Sequence, residues 1–379
     1  MTNVEAAPTS SDPVVRKAKT PYHMQPPTAF WRRSVAEVAP GEVDPVVGWK
    51  LKIGRDTKVA TAGSCFAQHI ARRLRSSGYH YFVSEQPPIK FGPEITTSFN
   101  YGTFSARYGN IYTSRQLLQL IQRAYGLFKP VDDMWTAADG SIIDPYRPTI
   151  QPGGFPTLAE FKLSREQHLA AVRRMFEELD VFVFTLGLTE CWTNVEDGAA
   201  YPICPGASGG TFDPKLHKFV NLDVADVCAD MKGFAELLRR VNPNSKIMLT
   251  VSPVPLVATA EAAHVLTATT YSKSVLRVAA QTLANQLPEV HYFPSYEIIT
   301  GPHARGAYYA EDAREVVEDG VAHVMRTFFA HATSDGTTSA SDTGGPAAQK
   351  VANRAERRRI RQMRRLFEVI CDEKLLDSN

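Results

Sequence analysis

Lys58-Val-Ala-Thr-Ala-Gly63-Ser64-Cys65-Phe-Ala-Gln-His-Ile-Ala-Arg-Arg-Leu74 changes from a short β-favouring run to an amphipathic helical one within three residues. The apolar run Val59 to Thr61 predicts a strand ending at Gly63. Ile70, Ala71 and Leu74 then recur on one side of a helix expected over Phe66 to Leu74. The junction carries a hydroxyl and a thiol, Ser64 and Cys65. Free backbone N–H groups and the helix dipole favour developing negative charge there, which suits a nucleophile and its oxyanion. The competing role for Ser64 is a plain helix N-cap, since serine is among the preferred capping residues. Cys65 has two roles open to it: a reactive thiol at a helix N-terminus or a small buried hydrophobe.

Working outward, the same alternation repeats. Tyr79 to Val83 predicts a second strand, and Ser114 to Tyr125 a helix. Arg165 to Leu179 predicts a helix capped by Ser164. Asp180-Val-Phe-Val-Phe-Thr-Leu186 follows as a near-continuous apolar run, the pattern of a strand buried on both faces. Val224 to Val241 is helical and stops before Asn242-Pro243. Lys246 to Val251 is the next buried strand, Ser272 to Leu287 a helix, Val290 to Phe293 a strand and Asp312 to Phe329 a closing helix. Such alternation predicts a three-layer α/β sandwich with a central parallel sheet, its chemistry at the carboxyl ends of the strands. Ser64, Thr189-Glu190, Ser252-Pro253 and Ser295-Tyr296-Glu297 all fall at such ends. Two Pro- and Gly-rich stretches, Lys129 to Gly154 and Ala199 to Pro214, are expected as loops that wall the site or as inert surface insertions.

Bulk properties limit the function classes. A 44% hydrophobic and 22% charged composition fits a soluble globular chain, and a net charge of +2 gives no general case for nucleic acid. The N-terminus lacks the basic and apolar regions of a signal peptide, and no apolar run is long enough to span a bilayer. Five cysteines without a C-x-x-C pair argue for free thiols in a reducing compartment, with the cytoplasm as default, and against a metal site. No cofactor is implied. Residues 1–27 read as a flexible arm, 28–331 as the α/β domain and 332–351 as a flexible linker. Residues 352–379 read as a basic amphipathic helix, with seven arginines between Arg354 and Arg365 and an apolar stripe of Ile360, Met363 and Phe367. That helix would dock on the domain or in an oligomer, or bind a partner protein, nucleic acid or an acidic membrane.

Gly63-Ser-Cys-Phe-Ala67 is the pentapeptide of the GSCFA-domain family, which the chain resembles over about residues 55 to 330. Further blocks are Phe99-Asn-Tyr-Gly-Thr-Phe104, Thr185-Leu-Gly-Leu-Thr-Glu190, Thr250-Val-Ser-Pro-Val-Pro255, Tyr271-Ser-Lys-Ser-Val-Leu-Arg277 and Tyr292-Phe-Pro-Ser-Tyr-Glu297. The family resembles a branch of the SGNH (GDSL-type) esterase superfamily. That resemblance implies Ser64 as nucleophile, with oxyanion or substrate contacts from Cys65, Asn100, Gly102, Gly187, Thr189 and Glu190. Thr189 stands where the superfamily carries its oxyanion asparagine. The superfamily's Asp-x-x-His falls on Asp312-Ala-Arg-Glu315, so the aspartate is present and the histidine is not. His303 is the nearest upstream replacement base, with His264 and His69 as others. The expected function is an acyl-ester hydrolase or O-acyltransferase acting on a small-molecule or carbohydrate ester. An inactive ligand-binding module of the same fold and an adaptor working through the basic helix are the alternatives.

Overall fold

The computed structural model describes residues 20–64, 66–87, 89, 92–334 and 372–377. Residues 1–19 of the expected arm, Cys65, most of the expected linker and the arginine-rich part of the expected C-terminal helix lie outside the described residues. The strands are β1 (Val59–Gly63), β2 (Trp135–Thr136), β3 (Ile142–Ile143), β4 (Val181–Leu186), β5 (Glu190–Asn194), β6 (Ala200–Tyr201), β7 (His217–Asn221), β8 (Lys246–Val251) and β9 (Val290–Tyr292). The helices are α1 (Ala67–Ser76), α2 (Pro93–Ser98), α3 (Ser114–Ala124), α4 (Leu158–Glu178), α5 (Val224–Val241), α6 (Val265–Gln286), α7 (Ser295–Thr300) and α8 (Glu318–Ala332).

The central sheet is parallel, in the order β1-β4-β8-β9. Its strands are apolar on both faces because helices cover both. Phe182, Phe184 and Leu186 of β4 alternate onto one side, where they join Val172 and Phe176 of α4, Phe234 of α5 and Leu276 of α6. The Phe182 ring packs with those of Phe176 and Phe234, at centroid distances of 5.6 and 5.3 Å. Val181 and Val183 point the other way, to Ile70 and Leu74 of α1, Ile298 of α7 and Phe328 of α8. The result is a three-layer α/β sandwich, as the alternation predicts.

Several boundaries differ from expectation, each for a local reason. Tyr79–Val83 makes a single parallel bridge, Tyr81 to Val59, rather than a strand. Ser84 turns its backbone N–H to Ser105 O (2.7 Å) and leaves the sheet edge. Helix α4 starts seven residues early, because Thr157 Oγ1 caps it by accepting from Glu160 N at 3.2 Å, and Ser164 is interior. Helix α6 likewise starts at Val265, capped by His264 Nδ1 accepting from Leu266 N. The closing helix begins at Glu318 because Asp312–Glu315 sits in a turn closed by a bridge between Tyr309 and Val316. The first Pro- and Gly-rich stretch holds the β2–β3 hairpin, and the second holds β6, one edge of a three-stranded antiparallel sheet in the order β6-β5-β7. Strands of two to five residues are too short for their alternation to be read. Finally, the end of the expected basic helix, Asp372–Asp377, is a 3-10 turn that returns to the domain.

Candidate functional site

Ser64 follows β1 at the point where the strand order reverses. The chain leaves β1 towards the Tyr81 edge and later crosses back to place β4 on the other side, so β1 and β4 flank the crevice of the switch point. Gly63 makes the turn possible. Its φ is +139°, and a Cβ there would come within 2.8 Å of the Thr185 nitrogen and side chain. Gly187 at the end of β4 permits the second close approach, since its Cβ would lie 2.9 Å from Ser64 Cβ and 3.1 Å from Tyr112 O. Ser64 is 3% exposed, and its Oγ does not cap α1. Ser64, Thr185 and Thr189 carry buried hydroxyls with no hydrogen-bond partner among the described residues. Unpartnered buried hydroxyls are costly, and three clustered at one strand-end corner mark a place kept for something other than stability.

Helix α6 braces this corner. Thr189 N donates to Ser272 Oγ at 3.1 Å, and Lys273 Nζ donates to Gly187 O at 2.6 Å. Lys273 is 2% exposed, an unusual place for an ammonium. Ser64 and Lys273 therefore both abut Gly187.

The loop between α2 and α3 supplies the opposite wall. Ile111 N donates to Gly63 O (2.9 Å), and Tyr112 O accepts from Gly187 N (3.0 Å) and Leu188 N (2.9 Å), so the loop clamps the ends of both strands. Asn110 is oriented by Gln68 Nε2, which donates to its Oδ1 at 3.2 Å. Buried ions hold the loop from behind. Glu85 accepts from Arg107 N and from His168 Nδ1, each at 2.7 Å, while Arg107 donates to Phe99 O and Ile150 O. Burial, then Arg147, bring the His168 imidazole down to about 4 against the pull of Glu85. Burial pushes Glu85 up but is outweighed by His168, Arg147 and the Arg107 amide, which bring it to about 2. With His168 neutral at pH 7, Arg147 and the Arg107 N–H hold the Glu85 charge.

The pH dependence follows from the sign. The folded imidazole binds its proton more weakly than the unfolded one, so stability is full above about pH 6.5 and falls as pH drops towards about 4. The loss attributable to His168 is about 3 kcal/mol. Urea denaturation at pH 7, 5.5 and 4.5 should show it, and His168→Gln should flatten the curve.

A cavity of about 260 Å³ opens beside Tyr112 and Leu188, walled by Trp192, Phe219 and Leu256. Glu190 is its acid. It begins β5 rather than a helix, and its carboxylate accepts from Thr259 Oγ1 (2.7 Å) and Ala260 N (3.3 Å). Burial pushes its carboxyl up, opposed by those two donors.

The structure brings Ser64, Gly187 and Thr189 together, with Glu190 in the adjoining cavity; Cys65 lies outside the described residues. Asn100, held in a left-handed turn at φ 59°, donates from Nδ2 to Thr149 O at 3.3 Å and braces the outer wall. Gly102 is instead tied to Arg75, in the last turn of α1, away from the helix end where Ser64 sits. Asp312 Oδ1 accepts from the amides of Arg314 (3.0 Å) and Glu315 (2.9 Å) and orients no imidazole. Glu315 is exposed and faces Lys374 at 3.9 Å. His303 packs edge-on against His323, at a centroid distance of 6.4 Å, and burial lowers its pKa. Among the described residues neither Asp312 nor His303 bonds to Ser64 or to the other. His264 is the α6 cap, and His69 packs on Phe66 with its pKa brought to about 4 by burial, Arg72 and Arg73.

With this geometry in place, the comparison with known families is informative. The GSCFA family matches residues 58–328, from the residue before β1 into α8. The chain belongs to the GSCFA family. No curated protein matches it. The GSCFA segment contains every element of the central sheet and every residue at the Ser64 corner. It also contains four site residues that sequence reasoning passes over: Asn110, Tyr112, Thr149 and Lys273. Lys273 lies within the quoted Tyr271–Arg277 block, which is the signal that could have found it. No helix among the described residues of this GSCFA protein is long and apolar enough to cross a membrane.

Proposed function

We propose that this GSCFA protein is a serine-dependent acyl-transfer enzyme, an esterase or O-acyltransferase of SGNH-like design, with Lys273 in place of the histidine base. The observation that carries this reading is the Ser64–Gly187–Lys273 contact. A buried serine with no hydrogen-bond partner among the described residues is pressed against a glycine whose carbonyl binds a buried lysine.

Ser64 Oγ attacks the acyl carbonyl, and its proton passes to Lys273 directly or through one water, as in other Ser–Lys arrangements. Charge that develops on the carbonyl oxygen meets the N-terminal end of α1, where the helix dipole favours it. The leaving alcohol takes the proton back, giving an acyl-Ser64. Water completes hydrolysis, and a second hydroxyl completes transfer. The 260 Å³ cavity takes the substrate: its aromatic wall suits an acyl chain or a sugar face, and Glu190 suits a hydroxyl. The test is covalent, since a fluorophosphonate should mark Ser64 and Ser64→Ala should abolish the mark.

A further inference from the structure

Asp372–Asp377 packs on the loop between α2 and α3 that clamps the ends of β1 and β4. Asp372 and Glu373 are 4% and 7% exposed, whereas Leu375 and Leu376 remain about 40% exposed, so the segment is seated by its acids. Each oxygen of the Asp372 carboxylate meets one donor: Asn110 Nδ2 reaches Oδ2 at 2.9 Å and Thr149 Oγ1 reaches Oδ1 at 2.9 Å. The Asp372 backbone N–H donates to Tyr112 OH at 3.1 Å. Arg314 holds Glu373 with an N–O distance of 2.9 Å. Glu373 and Leu376 also line the 260 Å³ cavity.

We propose that Asn110, Tyr112, Thr149 and Arg314 form a binding site for a short acidic peptide, and that the chain's own Asp372–Glu373 fills it in cis, covering the way to Ser64. The site is built rather than incidental. Asn110 is oriented by Gln68, Thr149 is braced by Asn100, and Arg314 is fixed by donating from Nε to Pro255 O at 3.0 Å. Tyr112 carries the consequence inward, because the residue whose hydroxyl receives the segment also clamps Gly187 through its carbonyl. Burial raises the Asp372 carboxyl from its ordinary value, against the two donors. Seating it therefore has a desolvation cost, which leaves the segment displaceable. A tethered ligand acts at an effective concentration of about 1 mM, so modest affinity keeps the site filled until a competing acidic segment or substrate displaces it. The covering of Ser64 rests on the catalytic reading above; the peptide site does not.

The test uses the full chain and a fluorescein-labelled peptide of residues 372–377. The peptide should bind the Asp372→Ala/Glu373→Ala chain about tenfold more tightly than wild type, because the internal competitor is gone. Its counterpart with Asn and Gln in place of the two acids should not bind. Equal binding to both chains, or none to a variant that unfolds at the wild-type temperature, would overturn the proposal. Should the variant fail to fold, hydrogen exchange on wild type decides. Peptide at about 1 mM should speed exchange across residues 372–377, and unchanged exchange overturns the site. Fluorophosphonate labelling of Ser64 should rise in the variant. Tighter peptide binding with no labelling in either chain would keep the peptide site and remove Ser64 as nucleophile.

Discussion

Gly63→Ala should cost the protein about 4 kcal/mol, seen as a lower urea midpoint and a thermal midpoint reduced by about 6 °C. Two independent penalties coincide at this position. The backbone is at φ +139°, a region essentially restricted to glycine, and the added methyl would strike Thr185 backbone and side chain at the β1–β4 pairing. The neighbour cannot yield cheaply, because Gly63 and Thr185 are the last paired residues of β1 and β4 and Ser64 N donates to Thr185 O at 3.3 Å. Wild-type stability in Gly63→Ala would mean that the strand end is looser than the geometry shows.

Lys273→Ala should slow reaction at Ser64 by about 10³-fold, the scale of a lost general base. The change also removes the donor to Gly187 O, so a loss of rate alone would not separate proton transfer from positioning. Chemical rescue separates them. A primary amine such as methylamine fits the space left by the side chain and should restore rate in proportion to its free-base fraction. A lysine that only braces Gly187 gives a slow variant with no pH-dependent rescue.

The parts of the fold legible in sequence were those with long, uninterrupted patterns. Helix α5 begins and ends where expected because Asp223 caps it and Asn242-Pro243 stops it. Strands β4 and β8 announce themselves as apolar runs because helices cover both their faces. The strand ends then place Ser64, Gly187 and Thr189 at one edge with no structure needed. What stayed hidden depends on contacts distant in sequence. Lys273 reads as one polar position of an amphipathic helix, and only packing of α6 on the β4–β5 corner buries it. Asn110 and Tyr112 sit in a loop with no period, held through Arg107 by Glu85 and His168 from two other segments. Asp312 and His303 were expected at the site by position in the chain. Local turns absorb both, because an aspartate two residues before a free amide closes its own turn first. The arginine face of the expected C-terminal helix lies outside the described residues; Asp372–Asp377, which is described, sets Asp372 and Glu373 against Asn110 and Arg314.

The most direct test of the central claim is intact-protein mass after exposure to a fluorophosphonate, with Ser64→Ala as control. The account predicts one adduct per wild-type chain, none on Ser64→Ala and slow formation on Lys273→Ala. No adduct on either folded wild type or the Asp372→Ala/Glu373→Ala chain, or an adduct kept in Ser64→Ala, would contradict the assignment of Ser64. The absence of any adduct would leave the crevice as a binding site for ligands.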